Sequence, residues 1–148
     1  LPAWIDVPPV KQAVLNLMLN AVQAMAATTT TPSEHEQPTT PAMSRELILR
    51  TNASQDAERH LTSVLHVIDT GPGIPAETLP KVFQPYFTTK SGGTGLGLPA
   101  SRRIIEAHHG RIDIHTEPGR GTDFTITLPQ TAPPNPSGPV RRWSKNSR

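Results

Sequence analysis

The chain of 148 residues contains no cysteine, which excludes disulfides and thiolate metal sites and is compatible with a reducing compartment. No apolar run approaches the roughly 18 residues that a membrane crossing needs, and the first residues show no basic-then-apolar pattern. Acids are missing from residues 130–148, which hold Arg141, Arg142, Lys145 and Arg148. The other 129 residues carry 10 Lys/Arg against 12 Asp/Glu, a net −2. The formal charge of +2 therefore belongs to a tail, and no nucleic-acid partner is expected of the body. Aromatics are scarce, with three Phe, two Trp and one Tyr, whereas proline reaches 17. One domain with a real core and some unstructured pieces is the expectation.

Asp6 can cap a helix that opens with Pro8 and Pro9, where a missing N–H does little harm. "VKQAVLNLMLNAVQAM" continues it with helical period. Val14, Met18, Ala21 and Met25 fall on one side, with Asn16, Asn20 and Gln23 within about 60° of each other on the opposite side. Residues 28–44, rich in Thr and Pro, read as an exposed insertion. "RELILRTNA" and "LTSVLHVIDT" read as strands joined by a hairpin loop. "AETLPKVFQPYF" suggests a short helix broken near Pro85. "TTKSGGTGLGL" is a glycine-rich loop feeding the helix "PASRRIIEAHH", which stops at Gly110. "RIDIHTE" and "TDFTITLP" follow as strands around the turn "PGRG", with Phe124, Ile126 and Leu128 alternating with threonines. From Gln130 onward an ordered fold is not expected. These elements add up to an α+β fold, a two-layer sandwich of a mixed β-sheet covered on one face by helices.

Three stretches carry chemistry. Asn16, Asn20 and Gln23 at i, i+4 and i+7 offer carbonyl oxygens to a hard cation and N–H groups to phosphate; Mg²⁺, which keeps waters and substrate phosphates, would need only one such oxygen. A merely solvated helix face is the alternative, although such faces usually recruit Lys and Glu. In "VIDTGPGIP", Asp69 ends a strand where a carboxylate can accept from an exocyclic amine, which adenine has and guanine replaces by a carbonyl. Gly71 and Gly73 let backbone approach a flat ligand; a plain turn is the competing reading. In "TTKSGGTGLGLP", Gly92, Gly93, Gly95 and Gly97 lead into a helix N-terminus that favours phosphate, with Lys90 just ahead. This is neither a Walker A loop nor a Rossmann turn, and alone it could be a glycine-rich linker.

Order and combination add a resemblance. With the aromatic pair Phe83 and Phe87, these stretches follow one another much as in the ATP-binding domain of sensor histidine kinases, of the ATPase superfamily shared with gyrase and heat-shock chaperones. "NLMLNAVQAM" resembles the N box, "DTGPGI" the first glycine box, "VFQPYFTTK" the phenylalanine box, "GTGLGL" the second glycine box and "EPGRGTDFTITLP" the closing segment. The spelling F-T-T-K is similar to nitrogen-regulation-type kinases. The resemblance covers residues 6–129, within a domain placed at 1–129, and implies a Bergerat-type fold with a mobile ATP lid.

It also implies a set of roles. Asn20 would hold Mg²⁺, with Asn16 and Gln23 near the phosphates. Asp69 would bind the adenine amine, Gly71, Gly73 and Ile74 would lie about the base, and Thr122 would touch adenine through water. Residues 84–96 would form the lid, and Phe87, Lys90, Thr94, Gly95, Leu96, Gly97 and Leu98 would complete the nucleotide site, Lys90 near the γ-phosphate. No catalytic residue is expected within 1–148: the phosphoacceptor histidine would lie upstream on a dimerisation helix of the same kinase, in a homodimeric parent. The phosphate would pass to a response regulator receiver domain. A bacterial cytoplasmic domain is implied, with a soluble or membrane-anchored parent.

Three departures stand out. Thr70 occupies a place where Asn is frequent, the 28–44 insertion is long, and no phosphoacceptor helix is present. "HEQPTTP" begins like such a motif, but its prolines exclude a helix, so His35 is rejected. His108 and His109 read as helix-end residues. Competing functions are a catalytically silent nucleotide-binding interaction module and a serine-kinase anti-sigma type. The latter keeps a general-base carboxylate where this chain has Asn16.

Overall fold

The computed structural model describes residues 5–27, 45–90 and 92–130. The insertion at 28–44, including His35, and the tail from 131 lie outside the described residues.

Helix α1 runs over Val7–Ala27, and the Asp6 carbonyl accepts its first bond from the Val10 N–H at 3.4 Å. Val10, Ala13, Leu17, Ala21 and Met25 are its buried stripe, with Val14 and Met18 packed at its border. The amides Asn16 and Asn20 flank that stripe instead of opposing it, since both are half-buried. The outward side carries Leu15, Leu19 and Val22, each about half exposed.

Strands β1 (Leu47–Gln55) and β2 (Leu61–Asp69) form a hairpin, and β3 (Arg111–Glu117) and β4 (Gly121–Pro129) form another. Between them lie a short 3-10 turn at Leu79–Lys81, where a short helix was expected, and α2 (Gly97–Ala107). His108 caps α2, its Nδ1 lying 2.7 Å from the Ile104 carbonyl oxygen. The strand order is β1-β2-β4-β3, with every pairing antiparallel. This corrects the expected mixed sheet. The route through α2 does bring β3 back parallel to β2, but the β3–β4 hairpin inserts β4 between them, so no parallel pair forms among the described residues.

Period-2 patterning decides which face the helices cover. Val67, Phe124, Ile126 and Leu128 point inward and close the core with Leu17 and Ile105. α1 lies over β2 and the flank of β1, and α2 lies over β3. Leu17 is fully buried, and truncating it to Ala would cost about 2–5 kcal/mol. Gln130, at the head of the basic tail, still bonds to the start of β2: its N–H donates to the Leu61 carbonyl at 3.0 Å. No helix among the described residues is long and apolar enough to cross a membrane.

Candidate functional site

The inward parity that buries Val67 also delivers Asp69 to the end of β2, 3% exposed. Its register neighbours are Leu47 on β1 and Thr122 on β4. Asp69 Oδ1 accepts the Gly71 N–H at 2.8 Å. Burial pushes the carboxyl above its ordinary range, against the opposing pull of the Gly71 and Thr122 backbone and the charge of Lys90. A carboxylate kept this deep without a full ion pair is poised to take another donor.

The turn after Asp69 is pinned to the β3–β4 hairpin. The Gly119 N–H donates to the Pro72 carbonyl at 2.7 Å, and Gly73 lies so close to the Glu117 carbonyl that a side chain would collide with it. The Ile74 N–H donates to Thr116 Oγ1 at 2.9 Å. The Thr116 hydroxyl donates to the Gly121 carbonyl at 3.0 Å and lies 3.2 Å from Thr122 Oγ1. Thr116 thus joins the turn, the strand and Thr122. Sequence reasoning missed it, although one signal existed: it is a polar residue on the inward parity of Ile112 and Ile114.

At the other end, the three amides of α1 divide their work. Asn16 is engaged by its own helix and by α2: its Oδ1 accepts from Gln12 at 3.1 Å and its Nδ2 donates to Ser101 Oγ at 3.4 Å. Ser101, fully buried, donates to main-chain carbonyls of Ala13 and Gly97, so it joins the two helices. Asn20 and Gln23 face Lys90. Its Nζ donates to Asn20 O at 3.2 Å, Asn20 Oδ1 at 3.1 Å and Gln23 Oε1 at 2.9 Å. Three acceptors satisfy all three N–H bonds of the ammonium. Burial lowers the Lys90 pKa, while the charge of Asp69 works in the opposite direction. The two expected ligand-binding charges are therefore neighbours.

Lys90 is carried by the segment between the 3-10 turn and α2. Phe87 is half-buried, whereas Thr94 and Leu96 are exposed and Leu98 packs against the core. Gly95 accepts the Tyr86 N–H at 3.0 Å. Gly97 opens α2, and a side chain there would meet Asn20 Nδ2, so the helix N-terminus lies beside the amide. Thr70, the departure from the expected Asn, accepts the Glu46 N–H at 2.9 Å and extends the β1–β2 contact.

The donor set at the amide end suits a hard divalent cation. Asn20 and Gln23 offer neutral oxygens, and a cationic group already rests on them.

Comparison with known proteins identifies the family. Residues 5–132 match the model of the histidine kinase-, DNA gyrase B- and HSP90-like ATPase family. The chain is 37% identical over 119 residues to the signal transduction histidine-protein kinase AtoS of Escherichia coli, covering 80% of this chain and 16% of AtoS. It is 35% identical over 129 residues to the sensory histidine kinase/phosphatase NtrB of Vibrio alginolyticus, covering 84% of this chain and 33% of NtrB. The chain thus spans a third or less of these relatives. Among solved structures, the catalytic domain of histidine kinase ThkA aligns with TM-score 0.58 and 30% identity, covering 85% of this chain and 69% of that one. The mycobacterial sensor histidine kinase MprB aligns with TM-score 0.59 and 26% identity, over 84% and 72% of the two chains. With its acid-ended strand, amide-faced helix and glycine-led second helix, the chain belongs to the histidine kinase-, DNA gyrase B- and HSP90-like ATPase family.

Proposed function

We propose that this chain binds ATP with Mg²⁺ and presents the γ-phosphate to a histidine on the dimerisation domain of its own kinase. The observation that carries the reading is Asp69: a carboxylate 3% exposed, at a strand end, beside glycine backbone. It accepts the exocyclic amine of adenine, and a guanine carbonyl at that place would meet it acceptor to acceptor. Gly71, Gly73 and Ile74 lie about the base, and Thr122 adds a hydroxyl beside the acid. Asn20 would hold the metal, with Gln23 and the N-terminus of α2 toward the phosphates. When bound, Mg²⁺ neutralises charge on the phosphate oxygens. Lys90 supplies a second positive charge, and Thr94, Gly95, Leu96 and Leu98 complete the cover with Phe87.

Phosphoryl transfer depends on position and charge more than on covalent help from the protein. This chain supplies those parts, and the dimerisation domain of a homodimeric parent supplies the nucleophile. A receiver domain of a response regulator takes the phosphate onward. The domain works in the bacterial cytoplasm, whether its parent is soluble or membrane-anchored. An anti-sigma-type serine kinase is disfavoured by Asn16, an amide occupied by Gln12 and Ser101 where that type needs a base.

Titration calorimetry with ATP, with GTP and with ATP lacking Mg²⁺ tests the reading. ATP should bind, GTP at least about a hundredfold more weakly, and removal of Mg²⁺ should lower the ATP affinity. Equal binding of ATP and GTP, or no binding of ATP, would overturn it.

A further inference from the structure

We propose that Lys90 is a built-in cation that latches the lid to α1 in the nucleotide-free protein and yields Asn20 when Mg²⁺ and nucleotide arrive. The proposal rests on the reading of this site as a Mg²⁺–ATP site, and goes beyond it by assigning what holds the empty state.

Three facts carry it. The ammonium is fully satisfied by Asn20 O, Asn20 Oδ1 and Gln23 Oε1, all within 3.2 Å, so it occupies the side-chain oxygen of Asn20, the residue assigned to the metal. Those oxygens are reached from a segment 67–70 residues away, so the contact ties two parts of the chain that share no β-ladder. All three acceptors are neutral, and the only ionisable side chain on α1 is Lys11.

The last fact decides the direction of the switch. A lysine on neutral carbonyls lacks the attraction between opposite full charges that it gains on a phosphate. A phosphate entering beside α2 therefore draws Lys90 off the amides. Two cations cannot share Asn20 Oδ1 without repulsion, so arrival of the metal works in the same sense. The latch is strong enough to order the lid and weak enough to release it.

The lid's own backbone bonds are the reporters: Tyr86 N–H to Gly95 O, Phe87 N–H to Gln84 O and Gly93 N–H to Lys90 O. Hydrogen exchange of these amides is measured without nucleotide in the wild type, Lys90→Met, Gln23→Ala and the double variant. Lys90→Met should speed their exchange about tenfold while leaving β2 and β4 amides unchanged. Gln23→Ala should speed it less, and the double variant no more than Lys90→Met alone. In calorimetry, the ratio of ATP affinity with and without Mg²⁺ should be larger in Lys90→Met than in the wild type, because the metal no longer displaces a resident cation. Unchanged exchange in Lys90→Met, additive effects in the double variant or an unchanged ratio would overturn the latch. Because exchange is read without nucleotide, it judges the latch separately from ATP binding by the wild type, which judges the site reading.

Discussion

The two ends of the site hold their charges in opposite ways. Asp69 is fixed by chain geometry: it sits in register with Leu47 and Thr122, its Oδ1 takes a hydrogen bond from the Gly71 N–H, and it is 3% exposed. Lys90 is fixed only by the tip of a long side chain reaching neutral acceptors on another element. A strand end cannot move without breaking a ladder, whereas an ammonium on amides can leave at little cost. The contrast matches the tasks assigned to the two ends. Selecting a base needs an acceptor that does not adjust to the wrong one, and closing over phosphates needs a charge that can travel.

Substituting the same residue at both ends should expose the contrast most strongly. Gly121 has φ +109, and a Cβ there would run into the Asp69 carbonyl, which is backbone and cannot give. Gly121→Ala should therefore lose more than about 3 kcal/mol of stability or fail to fold. Gly92 has a similar left-handed backbone, φ +74, but nothing within 4 Å of its would-be Cβ. Gly92→Ala should cost about 1 kcal/mol, confined to the lid, with little change in the melting temperature. Thermal unfolding of the two variants settles the matter; equal losses would mean that the ends are not mechanically distinct.

Asp69→Asn separates ligand binding from stability. The Asn side chain turns at most one acceptor toward the amine, so loss of a charged hydrogen-bond acceptor worth about 3 kcal/mol should weaken ATP about a hundredfold or more. The fold should not suffer, because burial holds the folded pKa above the ordinary 3.8. The folded protein then keeps its proton over a pH window where the unfolded chain has lost it. Stability consequently falls as pH rises from about 3.8 to the folded pKa, and the loss is complete above that window. Asn does not ionise, so the variant should lack this decline in urea unfolding followed against pH. Intact ATP affinity in Asp69→Asn would remove the adenine assignment.

How much of this was legible in the sequence follows from whether a signal is local. α1 and β4 announced themselves by period, because burial on one face repeats every turn or every second residue, whereas β1, exposed beyond Leu47, was legible only by its β-rich composition. Asp69 was legible because an acid that ends an apolar strand breaks that pattern. The antiparallel order was not legible, since "RIDIHTE" and "TDFTITLP" reveal a hairpin but not that β4 inserts beside β2. The placing of the amides opposite the core also failed, because the wheel was centred on Val14 and Met18, while the deepest contacts belong to Ala13 and Leu17. Lys90's grip on Asn20 could not be read at all: nothing in a lysine's neighbours encodes acceptors some 70 residues away.

Thr116 gives the finest test of the comparison, since it supports the carboxylate end without being expected to touch phosphate. Thr116→Val keeps the shape but leaves the Ile74 N–H and the Gly121 carbonyl without their hydroxyl partner. An orphaned buried group costs about 1–3 kcal/mol, part of it in stability and part in the placing of Ile74 and Thr122 around Asp69. ATP affinity should fall about tenfold, and Thr116→Ser should restore it, because Ser retains the hydroxyl. The nucleotide dependence sharpens the result. A fault at the base end should weaken ATP and ADP alike, whereas Lys90→Met should weaken ATP more than ADP, because Lys90 is assigned to the terminal phosphate. If Thr116→Val instead weakens ATP selectively, the two ends share one mechanical unit, and the division between a fixed acceptor and a travelling cation fails at the residue where it is most finely drawn.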